Sequence, residues 1–390
     1  MKRLLPALSA LLLLPGALAW PHQRNDLDPG AQLQLAEPHT TAQLSPTNAR
    51  RLFVLDTAFP AAEAARTYIL DGTSGHLEGM FYQAYWPNFA VSPDGAELYA
   101  ADTYFEKHTR GKRSDYLVVR DARTLAVKAD IPLPGGRLLI VSKKYNLDVT
   151  PDGHYGLTFN LAPATAVTVT DLRARKSVGA IDVPGCGLIF AQAAHRFSTL
   201  CADGSVATVS FDDNAKASIK RAAGVFDARN DPAFEHSAWD KHHQMLYLIT
   251  YHGEVVPVSL AADEAVPGRT WWLASAAERQ AGWRPGGWQV SHFHSPRQRL
   301  YALMHQGAEW THKSSGHEVW EFDVRSGRRL QRIALTEAAQ SIAVSQDDDP
   351  LLYVIDDSNR IDAYHLSDGK LLYRTAPLGF SPQLLTVWGD

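Results

Sequence analysis

The sequence predicts an all-β protein, a seven-bladed β-propeller whose blades are four-stranded antiparallel sheets. Three observations support this prediction. A tight turn followed by an aromatic-rich strand recurs along the chain, a strand–turn–strand unit follows it after a short gap, and the pair returns roughly every fifty residues. The strand–turn–strand units begin near residues 68, 116, 166, 207, 255, 319 and 361.

The first recurring unit is a turn that leads into a strand. In Pro-Asp-Gly, proline presets φ and glycine accepts a positive φ, so the three residues make a tight turn. The flanking runs alternate apolar and polar residues, as a half-buried strand does. Weaker copies begin at Arg50 and His195. The clear copies are VSPDGAELYAAD from Val91, VTPDGHYGLTFN from Val149, WDKHHQMLYLIT from Trp239, HSPRQRLYALMH from His294 and VSQDDDPLLYVID from Val344.

The second unit completes a four-stranded sheet with the first. One such sheet cannot bury both of its faces, so neighbouring sheets must stack, and a closed ring leaves no long free edge. A pair of β-sandwiches is the alternative, but it does not predict such regular spacing. A longer gap precedes the sixth copy, and there we expect a short helix around Ala274 to Gln280 as an excursion on one face.

The N-terminus has the features of a secretory signal. Lys2 and Arg3 form a basic region, an apolar run follows over residues 4–14, and Ala17-Leu18-Ala19 is a small-residue cleavage site. The apolar run is too short for a membrane span, and no later run is long enough for one. We therefore predict a signal peptide over 1–19, an N-terminal extension over 20–48 and the propeller over 49–390, with export to the periplasm.

Composition excludes some partners and redox chemistries. The net charge of −4 disfavours nucleic acid, where binding depends on neutralising phosphates. The chain has two cysteines, Cys186 and Cys201, which predict one disulfide in an oxidising compartment. Two free buried thiols are the alternative. Two cysteines fifteen residues apart form neither a CxxC redox motif nor a zinc cluster.

The histidines raise the question of a metal site. His292 and His294 are two residues apart, so in a strand both rings point to one face. A site there still needs a third ligand, and no HExxH motif frames any histidine of this chain. No GxSxG elbow or dinucleotide-binding glycine motif is present either. We therefore predict that this chain contains no metal site, no catalytic residue and no cofactor of its own.

Several stretches carry a resemblance to a known family. The chain resembles the heavy (large) subunit of the periplasmic quinoprotein amine dehydrogenases, which oxidise methylamine or aromatic amines. The resemblance extends from about Arg50 to the C-terminus, and WRPGGWQ followed by EWTHK is its most specific part. The matching stretches are RLFVLD, TRGKRSDYLVVRDARTL, APATAVTVTDL, the Cys186 to Cys201 pair, AERQAGWRPGGWQ, EWTHK and VSQDDDPLLYVI.

The resemblance implies a division of labour between two chains. In that family the heavy subunit is a propeller, and a small cysteine-rich light subunit carries both the catalytic base and tryptophan tryptophylquinone, a cofactor made from two of its own tryptophans. Two heavy and two light chains assemble, primary amines become aldehyde and ammonia, and electrons pass to a blue-copper protein such as amicyanin or azurin. Some stretches resemble the methylamine branch and others the aromatic-amine branch, so the amine stays open.

The resemblance also gives one residue a role. In methylamine dehydrogenases a heavy-chain aromatic within a GM-x-x-x-x-aromatic-x-P-N stretch borders the substrate channel. Here that stretch reads GMFYQAYWPN and places Tyr85 at the aromatic position. Its neighbours are bulkier than is usual in the family, which leaves the width of the channel open.

The WRPGGWQ stretch suggests a second role. Trp283, Arg284 and Trp288 are candidates for the partner interface, because aromatic and arginine side chains often anchor interfaces. The alternative for these three residues is that they pack the excursion onto its own blade.

Two other functions remain compatible with the sequence. One is a stand-alone periplasmic propeller that acts as a binding or assembly module without catalysis. The other is a propeller enzyme with a metal in its central channel, such as a lactonase. The second needs inward carboxylates and histidines from several blades, and the histidines of this chain do not recur at equivalent positions of the repeats.

Overall fold

A computed structural model describes residues 42–390 of the chain. The predicted signal peptide (1–19) and most of the predicted extension (20–48) lie outside these residues, so the domain boundaries stay predictions. The regular secondary structure of the described part is almost entirely β-strand. Its helical elements are one short α-helix and two 3-10 turns: α1 (Ala276–Gln280), Phe59–Ala64 and Lys144–Asn146.

The strands form six antiparallel sheets that follow one another along the chain. The first sheet contains β1 (Arg51–Asp56), β2 (Arg66–Asp71) and β3 (Leu77–Tyr82). The second contains β4 (Asn88–Val91), β5 (Glu97–Phe105), β6 (Arg113–Asp121) and β7 (Val127–Pro132). The third contains β8 (Gly136–Arg137), β9 (Leu147–Val149), β10 (Tyr155–Ala162), β11 (Ala166–Asp171) and β12 (Lys176–Asp182).

The later sheets are more varied in size. The fourth contains β13 (Cys186–Ala193), β14 (Arg196–Cys201), β15 (Val206–Phe211) and β16 (Ala217–Ala222). The fifth contains β17 (Ala238–Asp240), β18 (Met245–Ile249), β19 (Glu254–Ser259), β20 (Val266–Pro267) and β21 (Trp271–Trp272). The sixth contains β22 (Trp283–Pro285), β23 (Ser291–His294), β24 (Arg299–Gln306), β25 (Gly316–Asp323), β26 (Arg328–Val344), β27 (Leu351–Asp356), β28 (Ile361–His365) and β29 (Leu371–Arg374). The last strand, β30 (Pro382–Val387), returns to the first sheet and pairs with β1.

The propeller prediction is confirmed, but the prediction of seven separate four-stranded blades is wrong. Five sheets have four or five strands, the size of a single blade, and the sixth has eight. The last two copies of the repeat share this sixth sheet because β26 pairs with both β25 and β27. No glycine or proline occurs within the 17 residues of β26, so nothing in its sequence interrupts the strand between the two copies.

Hydrophobic clusters join each sheet to the next and close the ring. One cluster packs Phe53 of the first sheet against Phe89 of the second, and another packs Tyr155 of the third against Phe197 of the fourth. Others join the second to the third, the fourth to the fifth and the fifth to the sixth sheet. The first sheet also packs against the second half of the sixth, and a further cluster packs the two halves of the sixth sheet on each other.

Burial explains the pattern of the strands. All six residues of β1 are buried because β1 lies in the middle of its sheet and neighbouring sheets cover both faces. The outermost strand β16 has five exposed residues out of six, and it is correspondingly polar. The Pro-Asp-Gly turns form as the sequence predicts, with Gly95 and Gly153 at φ of 70° and 68°.

The innermost strands give the ring two distinct faces. Strands β4, β9, β17, β23 and β30 contribute residues to one central cavity, so they line the axis. Where these strands end, tight turns lead into the next strand, as at Ser92–Gly95, and we call this side the turn face. Where they begin, longer connections such as residues 83–87 and 106–112 are found, and we call this side the loop face.

Candidate functional site

The histidines near the axis are hydrogen-bonded to neighbouring segments of the chain. Nε2 of His292 hydrogen-bonds to Oδ2 of Asp390 at 3.0 Å, while its Nδ1 accepts the N–H of Val344 at 3.2 Å. Burial lowers the pKa of His292 despite the hydrogen bond to Asp390. His294 hydrogen-bonds through both ring nitrogens as well, to the carbonyl of Asp347 and the N–H of Arg297. Both rings therefore have their nitrogens engaged in the protein.

His236 has the same kind of role at the loop face. Its Nδ1 donates to the carbonyl oxygen of Trp288 at 2.9 Å, and its Nε2 accepts the N–H of Lys144 at 3.2 Å. Burial lowers its pKa to about 4, and the hydrogen bond to the Trp288 carbonyl opposes this only in part. A neutral His236 therefore connects segments from three sheets. Sequence reasoning missed this residue, because a lone histidine between strands carries no motif.

The central cavity lies where the innermost strands end. Its volume is about 420 Å³, and aromatic rings that include Trp239 and Trp388 form part of its wall. Its charges are paired within the chain: Lys144 contacts Asp390 at 2.6 Å and Lys241 contacts Asp148 at 2.8 Å. Within residues 42–390, no group of three or more His, Cys, Asp or Glu residues is arranged to hold a metal ion.

Tyr85 lies at the other end of the axis, on the loop face. It belongs to the connection between β3 and β4, and its N–H donates to the carbonyl of Thr103 at 3.2 Å. Its half-buried ring packs edge-on against Phe105, with ring centroids 5.2 Å apart. Loss of surrounding water and the nearby Glu63 carboxylate raise the pKa of its phenol. The phenol is therefore neutral throughout the physiological range.

Trp86 extends the aromatic surface beside Tyr85. Its backbone is left-handed, with φ of 41°, which is unusual for a bulky residue. Its ring packs edge-on against Phe59 at a centroid distance of 5.3 Å. Phe59 is 58% exposed and comes from the connection between β1 and β2. Two connections and one strand end thus place aromatic rings together: the β1–β2 connection, the β3–β4 connection and the end of β5.

Exposed large apolar side chains occur repeatedly on the loop face. Of the other exposed large apolar side chains of the described chain, all but Leu330 of β26 lie on the outermost strands of the sheets, at the rim. Clustered exposed apolar groups commonly mark sites of protein interaction. The loop face is therefore the candidate interaction surface, and its exposed apolar residues are Phe59, Tyr104, Ile140, Leu161, Trp310 and Phe380.

The three candidate interface residues of the WRPGGWQ stretch lie in different environments. The ring of Trp283 packs against the fully buried Trp320 at 5.1 Å, and the Arg332 guanidinium lies 4.5 Å from its centroid. Trp283 thus contacts its own sheet. Arg284 is in β22 beside His305, and Trp288 lies on the loop face with its ring 5.4 Å from that of His236. Their proposed contacts with a partner stay predictions.

The predicted disulfide is present. Cys186 and Cys201 are direct partners on β13 and β14, and their sulfurs are bonded. The bridge joins the innermost strand of the fourth sheet to the next strand, far along the chain from Tyr85. It is therefore a structural cross-link. No helix within residues 42–390 is long and apolar enough to cross a membrane.

Comparison with known proteins identifies a sequence family. A family profile described as methylamine dehydrogenase heavy chain (MADH) matches residues 48–388. The chain is 33% identical over 342 residues to the methylamine dehydrogenase heavy chain of Paracoccus versutus, which covers 87% of this chain and 80% of that protein. It is 31% identical over 380 residues to the heavy chain of Methylophilus methylotrophus, covering 97% and 93% respectively.

Solved structures show the same fold at low sequence identity. A putative 6-phosphogluconolactonase from Bacteroides uniformis has a TM-score of 0.59 and 14% identity, with 87% of this chain and 99% of that chain covered. The dihydro-heme d1 dehydrogenase NirN has a TM-score of 0.55 and 15% identity, with 86% and 68% covered. At this identity the likeness concerns the fold alone.

Proposed function

The chain belongs to the methylamine dehydrogenase heavy chain family, and we propose that it is the large subunit of a periplasmic amine dehydrogenase that oxidises primary amines to aldehyde and ammonia. In this proposal the propeller supports a small cysteine-rich light chain and forms one wall of the substrate channel. The assembly contains two heavy and two light chains. The family match over residues 48–388 is the observation that carries the proposal.

The reaction divides between the two chains. The light chain supplies the catalytic base and tryptophan tryptophylquinone, which takes two electrons from the amine and passes them to a blue-copper protein. The one close Trp pair among the described aromatic contacts of this chain, Trp283 and Trp320, is packed inside the sixth sheet. In this proposal the heavy chain orients its partner and limits which amine enters.

The loop face is the proposed docking surface for the light chain. It combines the channel candidate Tyr85 with exposed apolar residues such as Phe59 and Phe380. Docking there covers these residues and leaves the aromatic ring of Tyr85 at the edge of the interface. Contacts of this kind obtain much of their binding energy from a few aromatic side chains that lose their water.

Two measurements test the proposal. The isolated chain should show no quinone absorbance and no amine-dependent dye reduction, whereas the complex purified from its native periplasm should show both. The complex should also contain a small cysteine-rich chain. A protein that is recovered alone under native conditions, without amine oxidation in any fraction, supports instead a stand-alone propeller that acts as a binding or assembly module.

A further inference from the structure

We propose that Arg137 is a positioning residue that fixes Tyr85 and Trp86 at the channel, so that the selectivity of the complex among amines depends on it. The inference rests on the proposed function, because it assigns a role at the same channel. Arg137 lies on the short strand β8 of the third sheet, while Tyr85 and Trp86 precede β4 of the second sheet. The guanidinium therefore acts across the boundary between two sheets.

The guanidinium binds the backbone of the aromatic segment directly. Nη2 of Arg137 donates to the carbonyl oxygen of Tyr85 at 3.0 Å and to that of Trp86 at 3.3 Å. Nη1 is 3.4 Å from the Trp86 carbonyl. Within the described residues, no other donor bonds to these two carbonyls. A planar guanidinium with its donors in a fixed fork suits this arrangement, and a lysine ammonium does not.

Two side chains of the second sheet hold the guanidinium in place. Nη1 donates to Oδ1 of Asn88 at 2.8 Å, and Nη2 donates to Oγ1 of Thr103 at 3.1 Å. The Thr103 backbone carbonyl in turn accepts the N–H of Tyr85. The backbone of Tyr85 is therefore held at its N–H by Thr103 and at its carbonyl by Arg137. Its side chain has no part in these hydrogen bonds.

Using a buried arginine to bind these carbonyls carries a cost in free energy. It is 2% exposed, and no carboxylate forms a salt bridge with it within the described residues. Burial lowers its pKa to about 10, while the nearby Asp102 and Asp115 carboxylates counteract that effect, so it stays charged at neutral pH. Burying a charge is costly unless hydrogen bonds and nearby opposite charges compensate for the lost water.

The backbone conformation of Trp86 explains what the buried arginine contributes. Its left-handed φ of 41° is a strained conformation that persists only where surrounding contacts enforce it. Arg137 binds the carbonyl of Tyr85, which belongs to the peptide unit before Trp86, and the carbonyl of Trp86, which belongs to the peptide unit after it. Without these bonds, Trp86 relaxes towards an ordinary φ and the rings of Tyr85 and Trp86 move relative to Phe105 and Phe59.

The test uses the heavy–light complex with Arg137→Lys and a matched control. Arg51→Lys is the control, because Arg51 is equally buried but contacts Ser45 and Glu78 at the turn-face end of β1. The readout is the ratio of kcat/KM for 2-phenylethylamine to that for methylamine. We expect Arg137→Lys to change this ratio by roughly tenfold, since misplacement by about 1 Å can cost up to 10² in rate. Arg51→Lys should leave it unchanged.

A double-mutant cycle separates positioning from general destabilisation. In a Tyr85→Ala background, Arg137→Lys should change the ratio less than it does in wild type, because one of the two rings through which Arg137 acts is gone. An unchanged ratio in a folded Arg137→Lys complex, or an equal change in both backgrounds, overturns the inference. If Arg137→Lys does not fold, Asn88→Ala removes one acceptor that holds the guanidinium and should also change the ratio, and an unchanged ratio in that variant overturns the inference.

Hydrogen–deuterium exchange tests Arg137 independently of the proposed function. In the isolated chain, Arg137→Lys should speed amide exchange across residues 83–88, while Arg51→Lys should not. Equal exchange in both variants contradicts the positioning role. If the wild-type complex oxidises neither amine but exchange responds as expected, the proposed function fails and the positioning of the segment stands.

Discussion

The ring of His236 donates its Nδ1 hydrogen to the carbonyl oxygen of Trp288, with 2.9 Å between the two atoms. The same ring accepts the N–H of Lys144 through Nε2. A ring that donates at one nitrogen and accepts at the other must be neutral. One buried imidazole therefore joins three segments of the loop face, and its protonation removes the acceptor that Lys144 uses.

The first prediction is that acid destabilises the propeller through His236. Its pKa is about 4 in the folded protein and near 6.5 when exposed. Between these values the unfolded state binds a proton that the folded state does not. The free energy of unfolding therefore stays constant for this group above about pH 6.5 and falls as the pH is lowered towards 4, by about 3 kcal/mol in all.

Urea unfolding at pH 7 and pH 4.5 measures this effect. We expect His236→Gln to be less stable than wild type at pH 7, because hydrogen bonds are lost, but to lose less stability on acidification. His242→Gln, which alters an exposed histidine on the turn face, is the control and should lose as much stability between pH 7 and pH 4.5 as wild type does. An equal loss in wild type and His236→Gln would contradict the assignment.

The second prediction concerns the disulfide. The bond between Cys186 and Cys201 closes a loop with a sequence separation of 15 residues. Chain-entropy arguments give about 3 kcal/mol for a loop of that length. The Cys186→Ala/Cys201→Ala protein should therefore fold with a free energy of unfolding lower by about this amount. Wild type in reducing agent should show the same loss, and a double variant as stable as oxidised wild type would contradict the prediction.

Local features of the fold follow from the sequence, while the number of sheets does not. The turns at Gly95 and Gly153 and the helix Ala276–Gln280 depend on short-range chemistry, such as the capping box formed by Ser275 and Glu278. Predicting the number of sheets requires a signal in the sequence that shows where each strand ends. The residues of β26 contain no signal for an end, so the count failed there.

The candidate site was predictable only in part. Tyr85 was proposed from the motif of the resembling family, since its neighbours along the chain define that motif, and its channel role stays a prediction. Arg137 was missed because β8 has only two residues, too few to show alternation, and because its partners lie 34 to 52 positions away. A buried charge between sheets leaves no periodic trace in the sequence.

The third prediction is that Trp283 stabilises the sixth sheet and does not bind the partner. Its ring packs on Trp320, and Arg332 lies over both rings. Trp283→Ala should lower the free energy of unfolding by about 2 kcal/mol, less than the 3–5 kcal/mol of a fully buried tryptophan. The light chain should be recovered with it as with wild type at a temperature where both are folded. Loss of the light chain with unchanged stability would reverse this assignment.

The fourth prediction is that Trp288 contributes to partner binding. It lies on the loop face and is only half-buried, although its indole Nε1 is buried. Trp288→Phe reduces the aromatic surface that a partner could contact while it keeps an aromatic ring against His236. Subunit exchange with labelled light chain should be faster in Trp288→Phe than in Trp283→Phe, the matched control. Equal exchange rates in the two variants would place Trp288 outside the interface.

The fifth prediction concerns the size of the amine that the complex accepts. Tyr85→Ala removes a ring beside Phe105 from the proposed channel wall. This should raise kcat/KM for 2-phenylethylamine relative to methylamine by at least about tenfold, since groups of methylene size already change selectivity by 10–200-fold. Tyr85→Phe is the control. Because the raised pKa keeps the phenol neutral, its removal changes neither charge nor ring size, and the ratio should stay within about twofold of wild type. A Tyr85→Ala complex with wild-type preference would show that another residue limits the channel.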